Sequence, residues 1–331
     1  MRSRPQEAGA ARSVFIVHGP ITYSLALAVI AARRLDNAWL IGARGMHGAR
    51  VDALAAHDGG WSIEGCLAVL QAVSRGLPDD SSLSIYLPHS LTLAAKLLML
   101  SPRTVAVHYL EEGYTAVDQR LINHPVWFAQ VDSEALLAQL EQTGLLAVLA
   151  LDAAAIHGLN QLPSYVFDGA ARNYAGAIAC SDDAFPGLGQ VDRVTLAQPT
   201  ARLAAHLVAF PSLLNRHPTT TSEADRYMIQ RNGDALCSIA ATLLQQASPQ
   251  MPVVIKLHPR DAVELPSTLL ARFDALGARY DDYCAEQGVD PCLEPALLNF
   301  SHYSVFGRSA MQKYVAQFQG AERLSCLPLP F

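Results

Sequence analysis

Short apolar runs alternate with Ala- and Leu-rich segments of helical length along most of this 331-residue chain. The short runs are typical of buried strands, and the longer segments have the apolar spacing of helices. Such an alternation predicts an α/β fold with a parallel, doubly wound sheet. In the first half we predict strands over 13–17, 39–42, 84–88, 105–110 and 174–181, and helices over 21–34, 61–75, 90–100 and 134–150.

The alternation resumes after a segment containing Pro and Gly, residues 182–206, where we place the crossing between two domains. The chain is too long for one typical core and suits two. We therefore expect a disordered tail over 1–12, an N-terminal domain over 13–200 and a C-terminal domain over 201–331. The second domain has predicted strands over 206–211, 253–257 and 303–306, and predicted helices over 232–246, 266–276 and 310–319.

Composition restricts the classes of function. Hydrophobic residues make up 51% of the chain and the formal net charge is −6, which favours a well-packed soluble protein and argues against a nucleic-acid partner. The six cysteines show no C-x-x-C pair, as expected of reduced thiols in the cytosol. No apolar run approaches the ~20 residues that span a bilayer. We therefore expect a cytoplasmic protein, with peripheral membrane contact left open.

Familiar catalytic signatures are absent from the sequence. It contains no G-x-G-x-x-G, P-loop, G-x-S-x-G or H-E-x-x-H motif. Dehydrogenase, NTPase, α/β-hydrolase and zincin functions are therefore disfavoured.

An acidic pair, Glu111-Glu112, follows the predicted strand 105–110 and precedes Gly113. Ligands of open α/β sheets bind where strands end. Adjacent strand residues point to opposite faces, so one carboxylate is expected to face the cleft and the other to brace a loop. Close carboxylates raise each other's pKa, which favours a group that accepts a proton near neutral pH. A solvated turn at the strand end is the alternative interpretation.

Lys256-Leu257-His258-Pro259 follows a second strong strand. Lys256 and His258 are expected on one face of that strand, and Pro259 ends it. An imidazole beside an ammonium suits a phosphate leaving group, because His donates a proton and Lys offsets charge. His-Pro also occurs at His124 and His217, where we interpret it as loop.

Three further segments are candidate sites. Gly307-Arg308-Ser309 joins a strand to a helix whose N-terminus can hold phosphate, with ordinary capping by Ser309 as the alternative. Glu294 could accept hydrogen bonds from ribose hydroxyls. His18-Gly19, at the end of the first strand, is a weaker candidate for substrate contact. A base in one domain and a phosphate-handling acid in the other would fit a sugar transferase.

The ordered set Glu-Glu-Gly, Lys-x-His-Pro, a Glu and Gly-x-Ser before a helix resembles the bacterial sialyltransferases of the lipooligosaccharide and capsular polysialyltransferase types. The similarity covers residues 105–315, and Tyr86-Leu87-Pro88-His89-Ser90 is similar to the polysialyltransferase branch. The resemblance implies a GT-B fold of two Rossmann-like domains, a CMP-sialic acid donor, inversion at the anomeric carbon and no metal or other cofactor. The partners it implies are this donor and a glycan or glycolipid acceptor.

The resemblance also implies residue roles. Glu111 or Glu112 would deprotonate the acceptor hydroxyl in the N-terminal domain, and His258 would assist the departing CMP phosphate. A second group would bind the donor in the C-terminal domain: Lys256, Pro259, Glu294, Gly307, Arg308 and Ser309. His18 and Gly19 would lie on the acceptor side. Both acids are Glu where the family usually has at least one Asp, which leaves the identity of the base open.

We therefore expect a sialyltransferase acting on a cell-surface glycan precursor. Three alternatives stay open: a transferase that uses CMP-Kdo, a UDP-sugar 2-epimerase of the same fold, and a non-catalytic subunit of a glycan assembly complex. The acceptor, the linkage and the oligomeric state are not predicted.

Overall fold

The protein is described from a computed structural model, which covers residues 11–55, 60–78, 81–126, 130–199, 202–214, 223–246, 251–307 and 309–329. The chain divides into two compact units, Met1–Leu196 and Ala197–Phe331. The sequence had placed this division at residue 200. Most of the expected tail over 1–12 lies outside the described residues, but Arg12 is the first residue of a strand.

Unit 1 contains a seven-stranded, fully parallel sheet in the order β3-β2-β1-β4-β5-β8-β9. Apolar residues dominate its central strands, as expected of a parallel sheet covered on both faces. The strands are β1 Arg12–Val17, β2 Ala38–Gly42, β3 Ala53–Leu54, β4 Leu83–Leu87, β5 Thr104–Leu110, β8 Tyr174–Ala179 and β9 Val191–Arg193. A small antiparallel pair, β6 Pro125–Val126 and β7 Ser164–Tyr165, lies outside this sheet.

Four of the six helices described in unit 1 begin at a polar side-chain cap. Ser62 Oγ accepts from the Gly65 amide, and Thr92 Oγ1 accepts from the Ala95 amide, so each satisfies a free N–H of the first turn. The helices are α1 Pro20–Arg33, α2 Ile63–Arg75, α3 Leu93–Leu100, α4 Ser133–Gln142, α5 Leu145–Val148 and α6 Ala153–His157. The single helix predicted over 134–150 is wrong, because Gly144 adopts a left-handed backbone (φ 73°) between α4 and α5.

Unit 2 contains a five-stranded, fully parallel sheet in the order β12-β11-β10-β13-β14. Its strands are β10 Arg202–Ala209, β11 Val253–Lys256, β12 Ala278–Arg279, β13 Asn299–Phe306 and β14 Leu324–Leu327. Its helices are α7 Glu223–Gln246, α8 Pro259–Glu264, α9 Ser267–Asp274, α10 Tyr280–Glu286 and α11 Ala310–Phe318. The expected α/β class with two parallel sheets is confirmed, and both sheets are compatible with Rossmann-like domains.

Three predicted elements of unit 2 begin earlier than expected, and one of them, β10, begins at Arg202 rather than at 206. α7 begins at Glu223, nine residues before the predicted start at 232. Gly233 lies inside this helix at a point where the Leu269 side chain of α9 leaves no room for a larger residue. A Cβ at this position would lie 2.5 Å from that side chain. β13 begins at Asn299, although only 303–306 had the apolar pattern of a strand. Among the described residues, no helix combines the length and the apolar character needed to cross a bilayer.

In each sheet the chain changes once the side of the first strand on which it places the following strands. In unit 1 the chain adds β2 and β3 on one side of β1 and then places β4 on the other side. In unit 2 the same reversal separates β11 and β12 from β13 about the central strand β10. Ligands of open α/β sheets bind at the carboxyl ends of the strands beside such a switch point. Residues that bind a ligand are therefore expected at these two sheet edges.

Candidate functional site

Three ionisable side chains meet at the switch point of unit 1. His18 directly follows β1, His89 follows β4 and Glu112 follows β5. These three strands are neighbours in a parallel sheet, so their carboxyl ends share one edge. One ligand atom from each of the three side chains lies within 4.8 Å of the others. The sequence predicted His18 and Glu112 as site residues but did not connect them.

One oxygen of the Glu112 carboxylate has a hydrogen-bond partner, and the other has none among the described residues. Its Oε1 lies 2.6 Å from His18 Nε2, whereas its Oε2 lies 3.9 Å from His89 Nε2, beyond hydrogen-bond range. Within the described part of the chain, Oε2 is buried and has no hydrogen-bond partner. The His18 and His89 side chains retain 4% and 6% of their exposure, and Glu112 retains 23%. The group is therefore mostly desolvated, and the exposed part of the Glu112 side chain lies on atoms other than Oε2.

The groups around Glu112 stabilise the ionised form of its carboxyl group. Burial alone would raise its pKa, but the charge and hydrogen bond of His18, followed by the charges of His89 and Arg44, lower the pKa to about 2. At neutral pH Glu112 is therefore a carboxylate and can only accept. It follows that His18 Nε2 carries the proton of their shared hydrogen bond. The expectation that the two adjacent carboxylates raise each other's pKa is wrong for Glu112.

His89 is neutral at physiological pH. Burial lowers its pKa to about 4, against the opposing attraction of Glu112. The Leu91 amide donates to His89 Nδ1 at 3.3 Å, so Nδ1 is the unprotonated ring nitrogen. The single proton of the neutral ring therefore lies on Nε2, the atom that faces Glu112 Oε2. Trp61 packs at 5.8 Å and His18 at 5.1 Å between ring centroids, which orients this imidazole.

The three side chains have the composition of a two-His, one-carboxylate metal site, but their contacts fit a hydrogen-bonded group better. A metal on His89 Nε2 would move the ring proton to Nδ1, where the Leu91 amide already donates. His18 and Glu112 are also in direct hydrogen-bond contact, without room for an ion between the two atoms. We therefore treat this group as proton-handling.

Glu111 has a different environment from its neighbour. It is fully buried, and its Oε2 accepts from the amides of Cys180 and Ser181 at 2.9 and 3.0 Å. The Ser181 hydroxyl donates to its Oε1. Glu111 thus ties the end of β5 to the end of β8, while Glu112 belongs to the ionisable group. The expectation that one carboxylate faces the site and the other braces a loop matches this arrangement.

Gly19 is the N-cap residue of α1 and directly follows His18. Thr22 Oγ1 accepts from the amides of His18 and Gly19, at 3.3 and 3.2 Å, and donates to the Gly19 carbonyl. A Cβ at Gly19 would meet no atom within 4 Å, so open space lies over this turn. The first turn of α1 therefore fixes the His18 backbone and leaves room next to it.

In unit 2, Gly307 and Ser309 lie at the switch point between β10 and β13. Gly307 has φ 66°, and a Cβ there would approach the Leu329 side chain to 2.9 Å, so glycine is required. Ser309 caps α11, with its Oγ accepting from the Met311 amide at 3.2 Å. Amides and the positive end of the α11 dipole thus face this edge. Arg308 lies outside the described residues.

Lys256 is enclosed by its own unit. Its Nζ lies 4.2 Å from the centroid of the Tyr280 ring, and burial lowers its pKa against the attraction of Asp281 and Glu294. Glu294 is 6% exposed and caps the 3-10 turn Pro295–Leu297, with Oε1 3.5 Å from the Ala296 amide. The structure thus brings Lys256 and Glu294 into electrostatic range of each other inside unit 2.

The expected shared strand face of Lys256 and His258 is not present. β11 ends at Lys256, and the His258 carbonyl accepts from the Ala262 amide at 3.0 Å, so His258 starts the turn that leads into α8. Pro259 is the first residue of α8, and its side chain lies outside the described part of the structure. His258 still lies at the carboxyl end of β11, at the same sheet edge as Gly307.

Sequence reasoning missed two residues at these edges. His89 stands two residues after β4, and it could have been found by asking which side chain follows each strand next to the switch point. Asp261 is 1% exposed and accepts from the Ser212 hydroxyl and the Leu213 amide, at 2.8 and 2.6 Å, which braces the chain after β10. No short motif marks Asp261.

Compared with known proteins, the chain matches no protein-family model and no curated protein.

Proposed function

We propose that this protein is an inverting glycosyltransferase of the GT-B type that moves sialic acid from CMP-sialic acid to a hydroxyl of a cell-surface glycan precursor. The observation that supports this most is the state of Glu112. One carboxylate oxygen is anchored by His18, and the other is buried without a hydrogen-bond partner among the described residues. A buried orphan acceptor costs free energy of about 1–3 kcal/mol, which a substrate donor would recover.

In the proposed reaction the acceptor hydroxyl donates to Glu112 Oε2. Its oxygen forms a bond to the anomeric carbon as the bond from that carbon to the CMP phosphate breaks. The hydroxyl proton passes to Glu112, whose developing neutral form stays hydrogen-bonded to His18. The electron pair of the broken bond remains on the phosphate oxygen, where His258 would donate a hydrogen bond or a proton.

The donor is assigned to unit 2. The α11 N-terminus, capped by Ser309 and entered through Gly307, supports phosphate binding. Lys256 is packed on Tyr280 beside Glu294, so we assign it to shaping the donor pocket rather than to direct charge contact. Glu294 keeps its proposed place near the ribose hydroxyls.

The first experiment is thermal unfolding with millimolar CMP, CDP, UDP or GDP. A ligand at about 100 times its Kd adds roughly 2.7 kcal/mol to the folded state. We expect a rise in Tm with CMP, after which CMP-sialic acid and CMP-Kdo are compared as donors. A rise with UDP alone would contradict the proposal and favour a UDP-sugar enzyme.

Transfer itself is tested with two variants, His258→Ala and Glu112→Ala, and Glu111 is kept because it ties the end of β5 to the end of β8. Both are expected to lose glycosyl transfer, because each removes one of the proposed proton-handling groups. Full activity in either variant would contradict the assignment. Binding of CMP without transfer to any acceptor would instead support a non-catalytic subunit.

A further inference from the structure

The space between His89 and Glu112 has a defined hydrogen-bonding character. Glu112 Oε2 is a carboxylate oxygen with no hydrogen-bond partner within the described ranges, so it requires a donor. His89 Nε2 carries the ring proton, because the Leu91 amide donates to Nδ1, so it requires an acceptor. These two atoms lie 3.9 Å apart, too far for a direct hydrogen bond.

The separation of Glu112 Oε2 and His89 Nε2 is the one that a single bridging oxygen would span. An oxygen about 2.8 Å from both atoms would see them at an angle of roughly 90°, which a hydroxyl accommodates. Polar groups separated by more than about 3.5 Å are commonly bridged in this way. The Glu112 side chain retains 23% of its exposure while Oε2 itself is buried, so a bridging oxygen reaches Oε2 only by displacing its neighbours.

We infer that His89 and Glu112 together form a hydroxyl clamp, and that His89 is a binding residue for the acceptor hydroxyl in the transferase reaction proposed above. The bridging group must accept one hydrogen bond and donate another. A hydroxyl does both, whereas an ammonium cannot accept from His89 and a carboxylate cannot donate to Glu112. The clamp therefore selects an alcohol acceptor over an amine or an acid.

The clamp also orients the reacting oxygen. With its proton directed at Glu112 and one lone pair held by His89, the hydroxyl keeps its other lone pair for attack. Removing His89 should therefore slow transfer without weakening the binding of CMP, which is assigned to unit 2.

The tautomer of His89 is measured first, by long-range 1H–15N NMR on protein labelled in its histidine rings. The His89 signals are assigned as those missing from His89→Phe. We expect the Nε2–H tautomer at pH 7. A ring protonated at Nδ1 alone, or at both nitrogens, would overturn the inference. This measurement needs no substrate, so a ring protonated at Nδ1 would overturn the clamp independently of the proposed function, whereas an Nε2–H ring with no CMP-sugar consumed would count against the proposed function alone.

Kinetics test the clamp in the working enzyme, with CMP-sialic acid as donor and lactose as the probe acceptor. His89→Phe is expected to lower kcat about 10- to 100-fold with the Kd for CMP unchanged, and His89→Gln, which keeps an N–H donor, should retain more activity. His108→Gln is the matched control, because His108 is a half-buried ring on β5 that stacks on Tyr86 at 4.5 Å. An unchanged kcat in His89→Phe, or an equal loss in His108→Gln, would overturn the clamp.

A double-mutant cycle separates the clamp from a general structural role. Because His89 and Glu112 would hold the same hydroxyl, the losses in His89→Phe and Glu112→Gln should be strongly non-additive in kcat/KM. Additive losses would mean that the two side chains act independently, and the inference would fail.

Discussion

Two adjacent carboxylates in this protein have opposite surroundings. Glu111 is fully buried and accepts from the Cys180 and Ser181 amides, whereas Glu112 is partly exposed and paired with His18. The difference arises because successive residues at a strand end point to opposite faces of the sheet. One residue therefore contributes to stability and the other to chemistry.

Glu111→Gln is expected to destabilise the protein by about 1–3 kcal/mol, because an amide replaces a carboxylate that accepts from two amides and a hydroxyl. Glu112→Gln removes a carboxylate that His18 stabilises, so it should lose stability as well, but it should also lower transfer directly, by 100-fold or more. Urea unfolding and initial rates measure the two effects. A large loss of stability in Glu112→Gln with intact activity would reverse the assignment.

Residue identities around this site were only partly predictable. The position of Glu112 after an apolar run marked it as a site candidate. The role of Glu111 depended on Cys180 and Ser181, which are far along the chain and enter only because β8 pairs with β5. Sequence spacing contains no information about such a contact until the strand order is known.

At the scale of elements, the two sheet edges depend on how helices begin. α11 starts with the Ser309 cap after the left-handed Gly307, and α4 starts with the Asp132 cap, which accepts from the Ala135 amide at 3.0 Å. Both caps satisfy a free amide of the first turn. Only the first lies beside a proposed ligand.

Ser309→Ala and Asp132→Ala form a matched pair. Each should cost about 1 kcal/mol of stability through loss of a cap. Ser309→Ala should in addition weaken CMP binding, because the hydroxyl and the order of the first turn of α11 are lost, whereas Asp132→Ala should leave CMP affinity unchanged. Calorimetric titration with CMP checks this. Equal CMP affinity in both variants would remove α11 from the donor site.

A second element-scale prediction concerns the contact of α7 with α9. Gly233→Ala would normally stabilise a helix, but its Cβ would lie 2.5 Å from the Leu269 side chain, so we expect a loss of about 1–3 kcal/mol. In a Leu269→Ala background the same change should become neutral or favourable, because the obstructing atoms are gone. Thermal unfolding of the four proteins measures this coupling. A stabilising Gly233→Ala change in the wild-type background would contradict the packing.

At the scale of the whole molecule, buried histidines in both units should make stability depend on pH. Burial lowers the pKa of His89, His108 and His206 from 6.5 to about 4, with a further contribution from Arg33 at His108 and from His302 at His206. Below pH 6.5 the unfolded chain binds protons that the folded protein does not. Stability is therefore greatest above pH 6.5 and falls as the pH drops towards 4.

Urea unfolding at pH 7.5, 6.0, 5.0 and 4.5 should show this decline. His206→Gln should make it shallower, because one of the three groups is removed. The pKa of Glu112 is lowered to about 2, so the stability that its carboxylate contributes is lost only as the pH falls from about 4.5 towards 2. Glu112 therefore does not obscure the loss of stability caused by the histidines above pH 4.5. Constant stability between pH 7.5 and 4.5 would contradict the neutral, buried state of these rings.

The sequence by itself determined the α/β class, most strands and helices, and the positions where chemistry was sought. Local hydrophobic period and turn residues contain that information, because a strand or helix forms from neighbours in the chain. The break between α4 and α5 depends on a left-handed Gly144, and the close packing of Gly233 in α7 against Leu269 was likewise not visible in the sequence.

Only the tertiary structure decided which candidates meet. The strand order β1-β4-β5 brings His18, His89 and Glu112 together from three distant segments, and the end of β11 at Lys256 separates it from the turn of His258. Strand order is set by crossover connections and by burial of both sheet faces, which are properties of the folded chain. For this reason the candidate residues were visible in the sequence, but their hydrogen bonds, protonation states and division of labour were not.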